Sequence, residues 1–327
     1  MRTLARRLGA RGSFAPTHWV WSRGLALLCD HNGGLRNVRE QRGAREPLKL
    51  DVGAYAGVRD GDLVWTRLTA LPQFLEQVLP TIRARFALIS GDEDWSIPTD
   101  FERAADICAN DNVVCWFSQN FDGTGFGAKI LPFPIGIDFH TISNGRRWGH
   151  AQATPREQEL ELEALRSTMP ANRLRLLRVH ADFHFNKQPR QLLGETRASV
   201  EATLRANPLV DFQPRKVTRL QLWQEKTRYG FVVSPPGNGL DCHRTWESLA
   251  LGNIVIVKRS ALDRLYERLP VVIVDDWSEI SAVNLRRWHD QHCQSFGDPE
   301  VLRRLTNQYW IEHARATLSA RMLTRMA

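Results

Sequence analysis

Tyr229 to Val274 reads YGFVVSPPGNGLDCHRTWESLALGNIVIVKRSALDRLYERLPVVIV. Phe231-Val232-Val233 is a short apolar run closed by Ser234-Pro235-Pro236-Gly237-Asn238-Gly239, the pattern of a buried strand stopped by a glycine-rich turn. A helix follows. Asp241 is a good N-cap, and Trp246, Leu249 and Ala250 fall three to four apart, so 242–251 is predicted as a helix ended by Gly252. Ile254 to Val257 is apolar and β-branched, 261–269 has helical spacing, and Val271 to Val274 repeats the strand signal. The unit is β-α-β-α-β. Such alternation predicts parallel strands with helical crossovers, and a ligand beyond their carboxyl ends, where the glycine-rich loop lies.

Arg244 and Glu247 are three apart on the predicted helix and share a face, with His243 on nearly the same side. The N–H groups and positive end of the helix suit a phosphate, and Arg244 offers a forked cationic contact. Glu247 can accept hydrogen bonds from a ribose diol. The competing reading makes the loop an ordinary turn and the Arg and Glu a solvated surface pair.

Over about 226–277 the chain also resembles the C-terminal nucleotide-sugar domain of exostosin-like glycosyltransferases of the GT-B type. Their pattern runs F-x-x-x-P-x-G, a short gap, R-x-x-E-A, a small residue, Gly and a hydrophobic strand. Phe231, Pro235, Gly237, Arg244, Glu247, Gly252 and Ile254 to Val257 follow that order, with Ser248 replacing the usual Ala. The resemblance implies two Rossmann-like domains facing across a cleft. It implies a nucleoside diphosphate sugar held by the carboxyl-terminal one, through Pro235, Gly237, Asn238, Gly239, Asp241, His243, Arg244 and Glu247.

With 327 residues, 43% hydrophobic and 24% charged, the chain has room for two domains with their own cores and is not of disordered composition. A net charge of +8 points to anionic company. Part of it is local, since five arginines precede the first acid, Asp30, and 1–24 reads as a basic terminus or a targeting peptide. The apolar segment 19–29 is too short and too interrupted to span a membrane. Five cysteines without a C-x-x-C pair argue for a reducing, cytoplasmic setting. The basic residues are dispersed without a stacking motif, so nucleic acid is not an expected partner.

Strands are expected at 25–29, 63–65, 86–90 and 113–117, with helices over 71–85 and 101–108, giving an amino-terminal Rossmann-like acceptor domain over 25–150. Gly91-Asp92-Glu93-Asp94 follows a strand at the edge of the expected cleft. Asp92 is the first candidate for the base that accepts the acceptor proton, Asp94 the second. The same Asp-x-Asp spacing is also used by metal-dependent sugar transferases of another fold to hold a cation on a diphosphate. Pro134-Ile135-Gly136-Ile137-Asp138-Phe139-His140 is similar to a cleft segment of related two-domain transferases, which makes Asp138 and His140 candidate site residues and His140 the third choice for the base.

The carboxyl-terminal domain is expected over 151–297, and 298–327 as a helix crossing back to the amino-terminal domain. A strand at 174–179 ends in His180-Ala181-Asp182-Phe183-His184-Phe185-Asn186-Lys187-Gln188-Pro189-Arg190, followed by a helix over 191–205. His180, Asp182 and His184 alternate along an extended strand, but the better reading makes this the first β-to-α turn. In GT-B enzymes cations there meet the donor diphosphate, which makes Lys187 and Arg190 donor contacts.

The expected function is transfer of a sugar from a nucleoside diphosphate sugar to a hydroxyl acceptor, with no metal or resident cofactor. Two alternatives stand: a nucleotide- or glycan-binding protein without turnover, and a metal-dependent Asp-x-Asp transferase.

Overall fold

The computed structural model describes residues 17–35, 50–123, 125–126, 128–185 and 189–324. Lys187 lies outside them.

Two parallel sheets organise the chain. The first is built from β1 (Leu63–Arg67), β2 (Phe86–Gly91), β3 (Val113–Ser118) and β4 (Ile130–Pro132), side by side in sequence order. Its central strands are buried along their whole length, as near-continuous Val, Leu, Ile and aromatic runs require when helices cover both faces. The second holds β5 (Leu176–Ala181), β6 (Val210–Phe212), β7 (Tyr229–Val233), β8 (Ile254–Lys258) and β9 (Val271–Val274) in the order β6-β5-β7-β8-β9. The order reverses between β5 and β7, which makes the crevice beyond their carboxyl ends the place for a ligand. The architecture is α/β and GT-B-like, two Rossmann-like domains across a cleft, as predicted.

The helices are α1 (Ser22–Leu27), α2 (Leu71–Gln73), α3 (Ala104–Ala109), α4 (His140–Asn144), α5 (Pro155–Arg166), α6 (Arg197–Arg205), α7 (Arg219–Lys226), α8 (His243–Ala250), α9 (Ala282–His292), α10 (Pro299–Arg304) and α11 (Asn307–Thr324). Several depart from expectation. The segment expected as a strand at 25–29 is the end of α1 and the turn after it, largely buried, where an apolar run carries no period to separate helix from strand. The helix expected over 71–85 breaks into α2, a π-turn at Phe74–Val78 and a 3-10 turn at Leu79–Thr81. Pro72 opens the first piece and Pro80 the last, and a proline inside a helix removes an i→i−4 donor. The helix expected from 191 starts at Arg197, after a turn in which Leu192 and Glu195 exchange backbone hydrogen bonds of 2.9 and 3.0 Å. Thr196 caps it with Ser199 in reciprocal bonds.

The domains are joined by more than the linker. Helix α11 packs on α1, β2 and β3. Its Trp310 stands between Phe133 of the amino-terminal domain, 6.1 Å away, and Trp246 on α8, 6.0 Å away, both edge to face. One continuous apolar cluster runs from Trp21, Phe117 and Phe133 through Trp310 to Trp246 and Val255. No helix among the described residues is long and apolar enough to cross a membrane.

Candidate active site

A cavity of about 930 Å³ opens between the sheets at the β5/β7 switch point. Gly237, Asn238 and Gly239 form one wall, with Arg244 and Glu247 rising from α8 beside them. The loop's glycines are close-approach positions. A Cβ on Gly239 would lie 2.6 Å from Oδ1 of Asn120, and one on Gly237 would lie 2.7 Å from Nη2 of Arg197. The loop is thus clasped by the opposite domain: Asn120 Oδ1 accepts from the Asp241 N–H at 2.9 Å.

Asp241 is not the cap of α8. The N-cap is Cys242, without a side-chain cap bond. The Asp241 carboxylate is drawn away by the Ile135 N–H at 2.8 Å and by Trp246 Nε1 at 2.9 Å, and also accepts from the Cys242 N–H. It ties the glycine-rich loop to the amino-terminal domain. Burial pushes its pKa up to about 6 against the pull of these donors.

Arg244 and Glu247 do not pair with each other. Arg244 Nε lies 2.6 Å from Oδ1 of Asp182, and its Nη1 donates to the Pro235 carbonyl at 3.2 Å. Pro235 thus acts through its carbonyl and does not line the cavity. Glu247 Oε2 accepts from Trp223 Nε1 at 3.2 Å. A mere surface pair is therefore excluded: each partner is fixed separately and turned to the cavity.

Beneath Arg244 sits Asp182, the first residue after β5, with Lys226 Nζ 2.9 Å from its Oδ2. Burial raises its pKa, but Lys226 and Arg244 outweigh burial and hold it well below the usual carboxylate range. The His180/Asp182/His184 alternation thus ends in an ion-pair cluster. His180 turns to Gln213, Nε2 to Oε1 at 3.3 Å.

The three acid–base candidates are placed differently. Asp92, the first choice, is buried, absent from the cavity lining, and held by Arg23 Nε at 2.9 Å and Arg67 Nη2 at 2.6 Å. Burial raises its pKa, yet the two guanidinium groups pull it below the ordinary value, the reverse of what a base near neutrality needs. Asp92 is corrected to a charged brace at a strand end, with φ at 65°. Asp94, two residues on, is exposed and lines the cavity. His140 lies behind that wall, with Nδ1 3.1 Å from Oδ1 of Asp138. Burial lowers its pKa against the pull of Asp138 and Asp92.

Arg190 is also corrected. It donates to the Asp94 carbonyl at 2.9 Å and to Ser96 Oγ at 3.0 Å and pairs with Asp100, so it straps the two domains together, and it is absent from the cavity lining.

Asp138, expected at the cleft, does line the cavity, whereas sequence reasoning missed Arg197, Lys226, Arg219, and Asp182 as a pivot. Arg219 is buried, stacks 4.5 Å over Trp223 and donates from Nη1 to the Asp138 carbonyl at 2.8 Å. Basic residues at helix ends carried the only signal for Arg219 and Lys226. Their distance from the loop in sequence hid it.

Asp138, His140 and His243 bring ligand-type atoms within 4.8 Å of one another, the one such group among the described residues. His243 Nδ1 donates to the Gly136 carbonyl at 2.7 Å, which fixes its proton there. Asp92 and Asp94 are not part of that group, and the Asp92 carboxylate is taken up by Arg23 and Arg67.

No family model matches the chain, and no curated protein matches it. Solved structures do resemble it. An α,α-trehalose-phosphate synthase (UDP-forming) from Burkholderia vietnamiensis shares 14% identity over 84% of this chain and 78% of its own, with a TM-score of 0.40. The α,α-trehalose 6-phosphate synthase of Burkholderia multivorans shares 12% over 84% and 75%, at 0.42. An E. coli structure described as bound with UDP-2-fluoro glucose shares 11% over 80% and 74%, at 0.39. These likenesses are too distant to transfer an activity.

Proposed function

We propose that the chain is a glycosyltransferase moving a sugar from a nucleoside diphosphate sugar to a hydroxyl acceptor. The observation that carries this is the meeting, at one switch-point cavity, of a glycine-rich loop, paired cations and a separately oriented carboxylate. Arg244 and Lys226 flank one carboxylate, Asp182, and keep a net positive charge next to Gly237 and Gly239, where a diphosphate fits. Glu247 is turned to accept from a ribose diol.

In the reaction the bond from the sugar's anomeric carbon to the diphosphate oxygen breaks, and the diphosphate leaves with the electron pair. The cations and loop N–H groups stabilise that charge as it develops. The acceptor oxygen bonds to the same carbon, and its proton passes to Asp94, which lines the cavity where Asp92 and His140 do not.

Two measurements test this. Calorimetry with UDP, GDP, ADP and CDP should find at least one binding to the wild type, and binding of none would end the reading. With a turned-over donor, Asp94→Asn should lower transfer by about a hundredfold or more while leaving donor affinity intact. Turnover in this reading needs no divalent ion. Loss of activity in EDTA, restored by Mn²⁺, would instead place an ion on Asp138, His140 and His243.

A further inference from the structure

Between the two sheets the chain makes a two-residue hairpin turn, Arg147-Trp148-Gly149-His150. Arg147 and His150 exchange backbone hydrogen bonds at 3.2 and 2.8 Å, and the two central residues have φ of 48° and 73°. This geometry favours Asn-Gly, because both central residues are left-handed. Here the first is a tryptophan, for which such backbone is strained. Its side chain gains nothing visible in exchange: Trp148 is 51% exposed and its indole makes no hydrogen bond, ring or cation contact with any described residue. Most tryptophans of the chain are buried, so this one needs a reason.

The turn is held in place at the cavity. His150 Nε2 sits 3.0 Å from Glu161 on α5, and Gly149 abuts Thr218, the N-cap of α7, so that a Cβ there would meet Thr218 Cγ2 at 3.1 Å. Trp148 and Gly149 both line the cavity. Helix α7 orders the rest. Trp223, at its fifth position, holds the Glu247 carboxylate, and its N-cap touches the Trp148 turn. Thr218 and Trp223 are five residues apart, about 7.5 Å along the helix. Going from the Gly237 loop to Glu247 and then down α7, the wall presents a phosphate site, a ribose carboxylate and an exposed aromatic face, the order of the parts of a nucleotide.

We propose that Trp148 is the platform on which the donor's nucleobase stacks. The inference rests on the nucleotide-sugar reading above and adds its base subsite. Stacking on an indole tolerates every base, because each has a π-face.

The test uses the full chain with Trp148→Asn and Trp148→Phe, titrated with UDP, GDP, ADP and CDP and with two baseless probes, ribose 5-phosphate and pyrophosphate. Asn suits the left-handed backbone, so that variant should melt no lower than the wild type. It should bind the nucleoside diphosphates about tenfold to a hundredfold more weakly, with Phe restoring most of the loss and the baseless probes unaffected. Quenching of tryptophan fluorescence by the nucleotide should shrink in both variants. Wild-type binding that survives unchanged in Trp148→Asn would overturn the inference alone. A rise in acceptor KM without change in nucleotide affinity would overturn it too, giving Trp148 to the acceptor. Failure of the wild type to bind any of the four would instead remove the nucleotide-sugar reading beneath it.

Discussion

Glu247 shows how one side chain separates a functional reading from a bland one. As half of a surface pair it would contribute under about 1 kcal/mol and have no bearing on a donor. The carboxylate is instead buried, with one oxygen held by Trp223 and the group facing the cavity. Glu247→Gln keeps the size and one acceptor but removes the charge, so kcat/KM for the donor should fall about tenfold to a hundredfold with little change in melting temperature. Comparison of the donor with its 2′-deoxy analogue decides the role, since the variant should lose most of the wild type's preference for ribose. Asp182 is a different case, because its work is electrostatic in the free protein as well. Its folded pKa is depressed by Lys226 and Arg244, so its stabilisation is present above the unfolded value of about 3.9 and is lost as pH falls through the folded value. Asp182→Asn leaves Lys226 buried with an unmatched charge and should lower stability by about 3–5 kcal/mol at pH 7. Urea melts of both proteins should draw together below about pH 4, and a gap that stays constant with pH would rule out the ion-pair account.

At the scale of elements, what could be read in the sequence was what is local. The strands at 229–233, 254–258 and 271–274 and the helix between the first two stand where apolar runs and glycine punctuation put them. Strand β6 has only three residues and shows no period to detect, and α1 is buried from Ser22 to Ala26. The cavity was half legible. Its loop and Glu247 share one stretch, whereas Asp182, Lys226 and Trp148 arrive from elsewhere through the β6-β5-β7 order, which no local pattern encodes. The loop itself makes a sharp contrast. At Gly239 a methyl group would strike Asn120, whose amide is bonded at both ends, to the Asp241 N–H and to the Glu93 carbonyl. At Gly237 it would meet Nη2 of Arg197, a side chain whose Nε donates to the Pro236 carbonyl at 3.1 Å, and then Sγ of Cys242. Gly239→Ala should therefore cost about 1–3 kcal/mol and weaken nucleotide binding, and Gly237→Ala less, because the end of a long side chain yields more readily than an amide bonded at both ends. Equal losses in thermal melts would show that Asn120 is not the rigid partner.

Across the whole molecule the question is whether the two domains behave as one. Domain pairs joined by small polar interfaces move freely, while a large apolar interface holds them. Here the last helix carries Trp310 into the gap between Phe133 and Trp246, and Asp241, His243 and Arg219 each bond across the gap to backbone of the segment 135–138. Those polar ties all lie at the cavity, so whatever loosens the apolar contact also shifts the cavity walls. Trp310 is buried, with its Nε1 satisfied by the Arg304 carbonyl at 2.9 Å, and its removal opens a void that neither domain can fill without moving toward the other. Trp310→Ala should lower stability by about 3–5 kcal/mol, the range for a large aromatic truncated in a core. It should also weaken nucleotide binding, although Trp310 lies outside the cavity lining. Urea unfolding followed by tryptophan emission and by far-ultraviolet circular dichroism separates the cases. Coincident transitions are expected in the wild type and divergent ones in Trp310→Ala, because the shared cluster is what makes the two sheets unfold together. Two coincident transitions in the variant, with nucleotide affinity unchanged, would show that the polar contacts at the cavity hold the domains without it.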